Sequence, residues 1–336
     1  RFVAALSLVV PFGLSSNFPD DSVVRYSATT SKIADIDLTP SLGVKITNKF
    51  SVGAGIDFEH VDAELAQEVG LGTLGPILGL PADTDTNSDN NASNWAIGWH
   101  AGVLYQFTPA TRVGLAYHSK VSVDLNGDSD FKGPLASVAT ANAADEIKSN
   151  NAETTIDLPS TTSLSLYHDV NARWAVMGTL NYTTWSVFKN IPLENLAGVQ
   201  QATIAQILAG SPPLLPTTSL SANVPQDFHN SWRLATGVNY HMTDKWMWRF
   251  GFGIDQDPTS NADRNVRLPD ADRYNVAVGA HYQLNKKLGF DAGWTHLFIA
   301  DGIVNSGQTV AQQFTYVNGT TSNTANIYGL QLTWNI

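Results

Sequence analysis

The sequence predicts an all-β protein, a transmembrane antiparallel β-barrel. Three observations carry that prediction: apolar and polar residues alternate with period two along many segments, short turns alternate with long connections, and the C-terminal run alternates to its last residue. No stretch approaches the roughly 20 consecutive apolar residues that a membrane helix needs, so a bilayer span requires strands that satisfy one another's backbone groups in a barrel. The 336 residues read as a single barrel domain, 1–336, of about twelve strands.

From the N-terminus, Arg1 and the apolar run Phe2 to Val10 imitate the start of a signal peptide. The run meets Pro11-Phe12-Gly13-Leu14 without a small-residue cleavage site, so it reads as a strand. Pro11 and Gly13 then interrupt it, because proline cannot donate to a ladder and glycine favours bends; the plainer alternative is a simple strand end before a loop. Phe50, Val52, Ala54, Ile56 and Phe58 form one face of a segment whose other face is Ser51, Gly53, Gly55, Asp57 and Glu59. The same two-faced pattern recurs over Trp95 to Phe107, Val113 to Leu125, Trp246 to Asp255 and Tyr274 to Gln283. The last segment, with Tyr328, Leu330, Leu332, Trp334 and Ile336 on one face, has the character of a closing strand.

Short turns are expected at Thr47-Asn48-Lys49, at Thr108 to Thr111, at Val170-Asn171-Ala172, at Met242 to Lys245 and at Leu284 to Lys287. Long outer connections are expected near 62–94, 126–155, 187–229, 257–271 and 300–325. Tyr105, Tyr117, Trp174, Tyr182, Tyr240, Trp246, Tyr282 and Trp294 sit near strand ends, as aromatic girdles at two membrane interfaces do.

Composition narrows the function. A net charge of −11 and the absence of a basic run argue against nucleic acid as a partner, since phosphate neutralisation needs a basic face. The lack of cysteine excludes disulfides and thiolate metal sites. Asp83 to Asp89 imitates a calcium loop but lacks the turn glycine and the bidentate glutamate, and reads as a solvated loop. Asp263, Arg264, Arg267, Asp270, Asp272 and Arg273 read as an ion-pair network at the rim. No nucleophile elbow, zinc-protease motif or phosphate loop is present, so the chain does not read as an enzyme, and neither a cofactor nor a metal is expected.

Several stretches together resemble the long-chain fatty acid and aromatic-hydrocarbon transporter family (FadL/TodX-like) of Gram-negative outer membranes. They are Pro11 to Leu14, Ile36 to Leu42, Gly98 to Lys120, Arg173 to Phe188, Ser231 to Gly237 and Asp263 to Tyr274, in an order and spacing that span essentially the whole chain. The resemblance implies a bacterial outer-membrane barrel of fourteen strands with an N-terminal hatch. By that comparison this chain begins inside the third strand and lacks the hatch and the first two strands.

The resemblance further implies facilitated diffusion of hydrophobic molecules such as long-chain fatty acids or hydrocarbons: capture at an outer loop, transfer to a lumenal pocket, and lateral exit at a kinked strand. Candidate capture residues are Leu65, Val69, Leu71, Leu74, Ile77, Leu78 and Leu80, an apolar run in a loop expected to face water; the alternative is a loop helix packed on the rim. Pro11, Phe12 and Gly13 are the candidate kink. His118, where the family pattern favours Arg, and Lys120 on the same polar face are candidate contacts for a substrate carboxylate. The second basic position of the pattern falls near Val224 and Pro225, where no cation stands. A neutral imidazole is a poor permanent counter-ion, which leaves room for uncharged cargo and for a simple hydrogen-bonding role of His118. Expected partners are the hydrophobic substrate, outer-membrane lipid and lipopolysaccharide, and the barrel-assembly machinery during insertion, with the protein a monomer. An adhesion or phage-receptor barrel and a membrane-embedded lipid hydrolase remain the alternatives; for the hydrolase, no nucleophile and base stand out on one strand face.

Overall fold

The computed structural model describes residues 2–70, 81, 84–310 and 313–335. The alternation is realised as strands in chain order. They begin with β1 (Phe2–Val9), β2 (Gly13–Asn17), β3 (Thr30–Lys45), β4 (Phe50–Gly70), β5 (Asp85–Gln106), β6 (Thr111–His118) and β7 (Val121–Lys132). The short helix α1 (Pro134–Ala139) leads to β8 (Glu146–Leu158), β9 (Thr161–Asp169), β10 (Trp174–Thr183) and β11 (Asn190–Gln201). After α2 (Ile204–Leu208) come β12 (Leu214–Pro225), β13 (Ser231–His241), β14 (Trp246–Asp255), β15 (Arg273–Gln283), β16 (Leu288–Ile299), β17 (Gly302–Val310), β18 (Gln313–Thr321) and β19 (Thr324–Trp334).

Among the described residues twelve strands form the wall, in the order β1, β3, β4, β5, β6, β9, β10, β13, β14, β15, β16, β19, with every neighbouring pair antiparallel. This agrees with the count of about twelve read from the alternation. Among the described residues β1 and β19 each have a strand partner along one edge only. No helix is long and apolar enough to cross a membrane among the described residues.

The wall strands turn their apolar faces outward. On β14 Trp246, Trp248, Phe250, Phe252 and Ile254 are all exposed, as are Trp95, Ile97 and Trp99 on β5 and Tyr328, Leu330 and Leu332 on β19. Such a belt is stable only against lipid. Aromatic pairs mark its two edges. Trp174 with Tyr240 and Trp246 with Tyr282 lie at the short-turn side, with ring centroids 4.5 and 4.7 Å apart. Trp99 with Tyr117 and Tyr182 with Trp232 lie at the other.

Along β3, β4 and β5 the polarity inverts. In the belt Ile56 points out and Asp57 in; further along the same strand Val61, Ala63 and Leu65 are buried inside while His60, Asp62 and Glu64 face outward. The inversion occurs where the wall leaves hydrocarbon, because above that level water is outside and packed protein inside. The strands continue there as a cap. β7 with β8 and β11 with β12 form hairpins, and their inner side chains Val121, Val123, Leu125, Ile156, Leu158, Ile191, Leu193 and Val224 build the main apolar core. Breaks at Pro11 and Pro159, and the end of β12 at Pro225, separate wall from cap in three places, each proline lacking a ladder donor where the chain must change direction.

The outer connections expected to be loops are therefore largely folded. The segment 62–94 holds the ends of β4 and β5, 126–155 holds β7, α1 and β8, 187–229 holds β11, α2 and β12, and 300–325 holds β17 and β18. Polar, glycine-bearing stretches read as loops, but here they pair with one another above the membrane. Only 257–271 is irregular throughout.

Candidate functional site

The site begins at the break between β1 and β2. Both strands pair with the same edge of β3, yet Val9 is opposite Asp37 and Gly13 opposite Ala34, so three residues on one side face two on the other. Pro11 has no N–H to give. The Phe12 carbonyl accepts from the Asp35 N–H at 3.1 Å, the contact that holds the kinked segment to β3. The Phe12 ring meets Trp185 edge-on, with centroids 5.3 Å apart.

Trp185 sits in a single 3₁₀ turn, Trp185–Val187, between β10 and β11. The turn is tied down on both sides. Thr184 Oγ1 accepts from the Ser160 N–H at 3.1 Å, and the Ser186 N–H donates to Asn230 Oδ1 at 3.0 Å, whose amide in turn donates to the Tyr182 hydroxyl at 2.8 Å. Phe188 and Phe228, both buried, pack at 5.2 Å and complete an aromatic cluster with Trp185. Aromatic rings give a large rigid apolar surface at small entropic cost.

Two adjoining cavities, of about 510 and 420 Å³, open between this cluster and the kink, and share Pro11, Phe12, Trp185, Pro258, Asp270 and Arg273. Each falls in the size range of small-molecule sites, roughly 300 to 1,000 Å³. The larger is mostly apolar, with Leu14, Ile33, Ile156, Leu158, Phe188, Phe228 and Leu268 on its walls. The smaller is more polar, with Asp37, Glu59 and His118 at one side and Arg233, Asp255 and Arg273 at the other.

The irregular segment 256–272 closes the cavities from above. Its anchor is Arg267, which donates to Gln67 Oε1 at 2.6 Å, to Ser31 Oγ at 3.1 Å and to two backbone carbonyls. No carboxylate pairs with it among the described residues, and burial lowers its pKa to about 10. Arg264 and Asp257, both buried, pair at 2.6 Å. Of the cluster read as a rim network, then, Arg267 is a core pin held by neutral acceptors. Arg273 reaches Asp255 and Asp270 at 3.3 and 3.4 Å, while among the described residues its Nε has no partner. Burial raises the Asp270 carboxyl above the usual range, with Arg273 opposing it.

The residues singled out in the sequence fall in different places. Pro11, Phe12 and Gly13 line the cavity. His118 lines its polar part, with Nδ1 3.8 Å from Asp57. Lys120 pairs with Asp157 at 2.8 Å and lines neither cavity. Leu65 and Val69 belong to β4 and are buried in the cap. They do not face water as a capture loop, because the polarity inversion turns this part of β4 inward. Leu71, Leu74, Ile77, Leu78 and Leu80 lie outside the described residues. Sequence reasoning missed Arg233 and Arg273 as lumenal cations, looking only where the family pattern carries one. Their alternation with outward Trp232 and Tyr274 was the available signal. Trp185, Phe188 and Phe228 were missed as lining because they sit outside the alternating runs.

A family model described as "Outer membrane protein transport protein (OMPP1/FadL/TodX)" matches residues 1–335. The long-chain fatty acid transport protein of Escherichia coli (strain K12) is 26% identical over 335 residues, covering 91% of this chain and 70% of that protein. Outer membrane protein P1 of Haemophilus influenzae is 27% identical over 359 residues, covering 99% of this chain and 72% of its own length. The crystal structure of a Pseudomonas aeruginosa FadL homologue superposes with a TM-score of 0.83 at 26% identity, covering 99% of this chain and 75% of that one. The Ralstonia pickettii toluene transporter TbuX shares the fold, with a TM-score of 0.65 at 20% identity. With the lipid-facing belt, the capped lumen and a match from end to end, the chain belongs to the OMPP1/FadL/TodX family of bacterial outer-membrane transport proteins.

Proposed function

We propose that this protein carries hydrophobic small molecules across the outer membrane by facilitated diffusion, through the cavity beneath the cap and out sideways past Pro11 and Phe12. The carrying observation is continuity: one apolar space touches both the aromatic cluster of the lumen and the break in the wall. A molecule leaving at that level enters the lipid belt directly, without crossing the polar lower lumen where Arg249 and Asp291 pair at 2.6 Å.

Magnitudes decide what selects the cargo. Each buried methylene contributes about 0.8 kcal/mol, so an acyl chain of ten carbons gains up to about 8 kcal/mol from the apolar walls. A charge-assisted hydrogen bond to Arg273 or Arg233 adds about 1.5 to 3 kcal/mol. Chain burial therefore supplies affinity and the arginines supply preference among head groups. The absence of a cation at Val224 and Pro225 does not remove the carboxylate site, since two arginines reach the same cavity from β13 and β15. Long-chain fatty acids and aromatic hydrocarbons, named for the relatives, both fit this division of labour. In this reading the protein works as a monomer in outer-membrane lipid and lipopolysaccharide, without a cofactor.

The test is uptake of a labelled long-chain fatty acid and a labelled neutral hydrocarbon by cells carrying or lacking the protein. Protein-dependent entry of either is expected, and entry of neither would overturn the transport reading.

A further inference from the structure

Just inside the break, the lumenal faces of β3, β4, β5 and β6 bring together four carboxyl groups and two imidazoles. Asp35 and Asp37 come from β3, Asp57 and Glu59 from β4, and all four are buried. His100 on β5 and His118 on β6 are direct cross-strand partners whose rings stack at 5.1 Å. His100 Nδ1 lies 2.6 Å from Asp57 Oδ1, and His118 Nδ1 lies 3.8 Å from Asp57 Oδ2. Ligand atoms of Asp57, His100 and His118 all fall within 4.8 Å of one another, and so do oxygens of Asp37, Asp57 and Glu59.

The cluster has no permanent cation: among the described residues no lysine or arginine forms an ion pair with any of its carboxylates. Thr39 Oγ1 donates to Asp37 Oδ2 at 2.8 Å, but among the described residues Asp37 Oδ1, Glu59 Oε2 and both oxygens of Asp35 have no hydrogen-bond partner, at residue exposures of 3%, 7% and 0%. Buried carboxylates in contact with one another need a proton, a cation or a donor, and unpaired buried oxygens are rare. The backbone makes room for the group: a Cβ at Gly55 would collide with the His100 ring, and one at Gly98 would approach Glu59 Oε1 to 3.2 Å.

We propose that Asp57, with His100 and His118 on one side and Asp37 and Glu59 on the other, forms a binding site for a divalent first-row transition-metal ion. Mixed oxygen and imidazole donors suit Zn²⁺ or Mn²⁺ better than Ca²⁺, which takes oxygen ligands. The two sets share Asp57, so an ion held by Asp57, His100 and His118 also gives the neighbouring Asp37 and Glu59 carboxylates a positive charge to face, and it joins the adjacent wall strands β4, β5 and β6. Asp37 is opposite Val9, so this brace stands next to the kinked segment and holds the wall where the chain breaks.

A second chemistry shares these residues. Ser41 Oγ lies 3.1 Å from His100 Nε2, so Ser41, His100 and Asp57 follow the hydrogen-bond order of a nucleophilic triad, a juxtaposition the sequence did not disclose. Ser41 is laddered to both β1 and β4, which takes up the backbone amides an oxyanion site requires. A triad also leaves the Asp37 and Glu59 oxygens unexplained. The metal site accounts for them.

Equilibrium dialysis of the untagged full chain in detergent against Zn²⁺, Mn²⁺ and Ca²⁺, followed by metal analysis, tests the proposal. Expected is one Zn²⁺ per chain, bound more tightly than Mn²⁺ and far more tightly than Ca²⁺, with affinity falling at least about tenfold in Asp57→Asn and His118→Gln. His296→Gln, remote from the cluster, keeps wild-type binding. His118 is half exposed, so its variant remains informative if Asp57→Asn does not fold. Zn²⁺ binding unchanged in both variants, or none in the wild type, overturns the site. Absence of metal together with hydrolysis of a nitrophenyl ester that Ser41→Ala abolishes would assign the cluster to acyl transfer instead.

Discussion

Replacing Arg273 with Met separates anionic from neutral cargo. The guanidinium lines both parts of the cavity, and its present partners are distant: 3.3 Å to Asp255 and 3.4 Å to Asp270. A substrate carboxylate must compete with these two acids, so the gain from Arg273 sits at the low end of charge-assisted bonds, about 1.5 kcal/mol. That corresponds to about a tenfold loss in affinity for a long-chain fatty acid. A neutral alkane of equal length makes the same apolar contacts and keeps its affinity, because the methionine stem replaces the aliphatic part of the arginine. The assay is competitive displacement of a fluorescent ligand from the detergent-solubilised protein, with heat-modifiable gel migration as the folding control. Equal weakening for both ligands would show that Arg273 shapes the cavity without reading charge. No change for either would remove it from the site.

Pro11→Val with Gly13→Val restores strand-forming residues at the break. A Cβ at Gly13 meets only the Val10 side chain at 3.9 Å, so the barrel folds while uptake slows severalfold; unchanged uptake in the whole-cell assay would count against the lateral route. Arg267→Met leaves Gln67, Ser31 and two carbonyls without their donor. Because burial holds the Arg267 pKa near 10, below its usual value, the native state binds that proton more weakly than the unfolded chain. Wild-type stability therefore gains relative to the variant as pH rises through the window that opens near 10, by up to about 1.4 kcal/mol per pH unit. Denaturant midpoints of both proteins at the two ends of the window check this, and a constant gap refutes it. Finally, Phe250→Arg in the belt costs about 2 to 4 kcal/mol if it lies near the bilayer midplane, whereas Ser122→Arg on the outer face of β7 stays within about 0.5 kcal/mol. Folding yield into lipid vesicles distinguishes them, and equal yields would sink the assignment of the belt.

The wall was legible because its signal is local. Residues such as Trp248 to Asp255 alternate without exception, and lipid outside with water inside requires that. The cap was not legible, because the same period with reversed polarity, as in Val61 to Leu65 or Val121 to Leu125, looks like a soluble strand or an apolar loop until the membrane level is known. The candidate site suffered most. Phe12, Trp185, Phe228 and Arg273 come from four separate breaks and strand ends, and only the curvature of the wall brings them to one cavity. The kink residues stood out because proline and glycine in an otherwise regular strand have few physical readings.

The reversal of polarity along β3, β4 and β5 also gives the molecule a waterline. Moving the protein outward by two residues would strip lipid from Trp95 and Ile97, and moving it inward by the same step would draw His60, Asp62 and Ser93 toward hydrocarbon. Either displacement is resisted by every strand of that stretch at once. The depth of the barrel is thus set by the chain's own pattern, and so is the height at which the break at Pro11 meets the acyl chains. On the proposed lateral route the doorway has to stay at a constant level, and this pattern keeps it there.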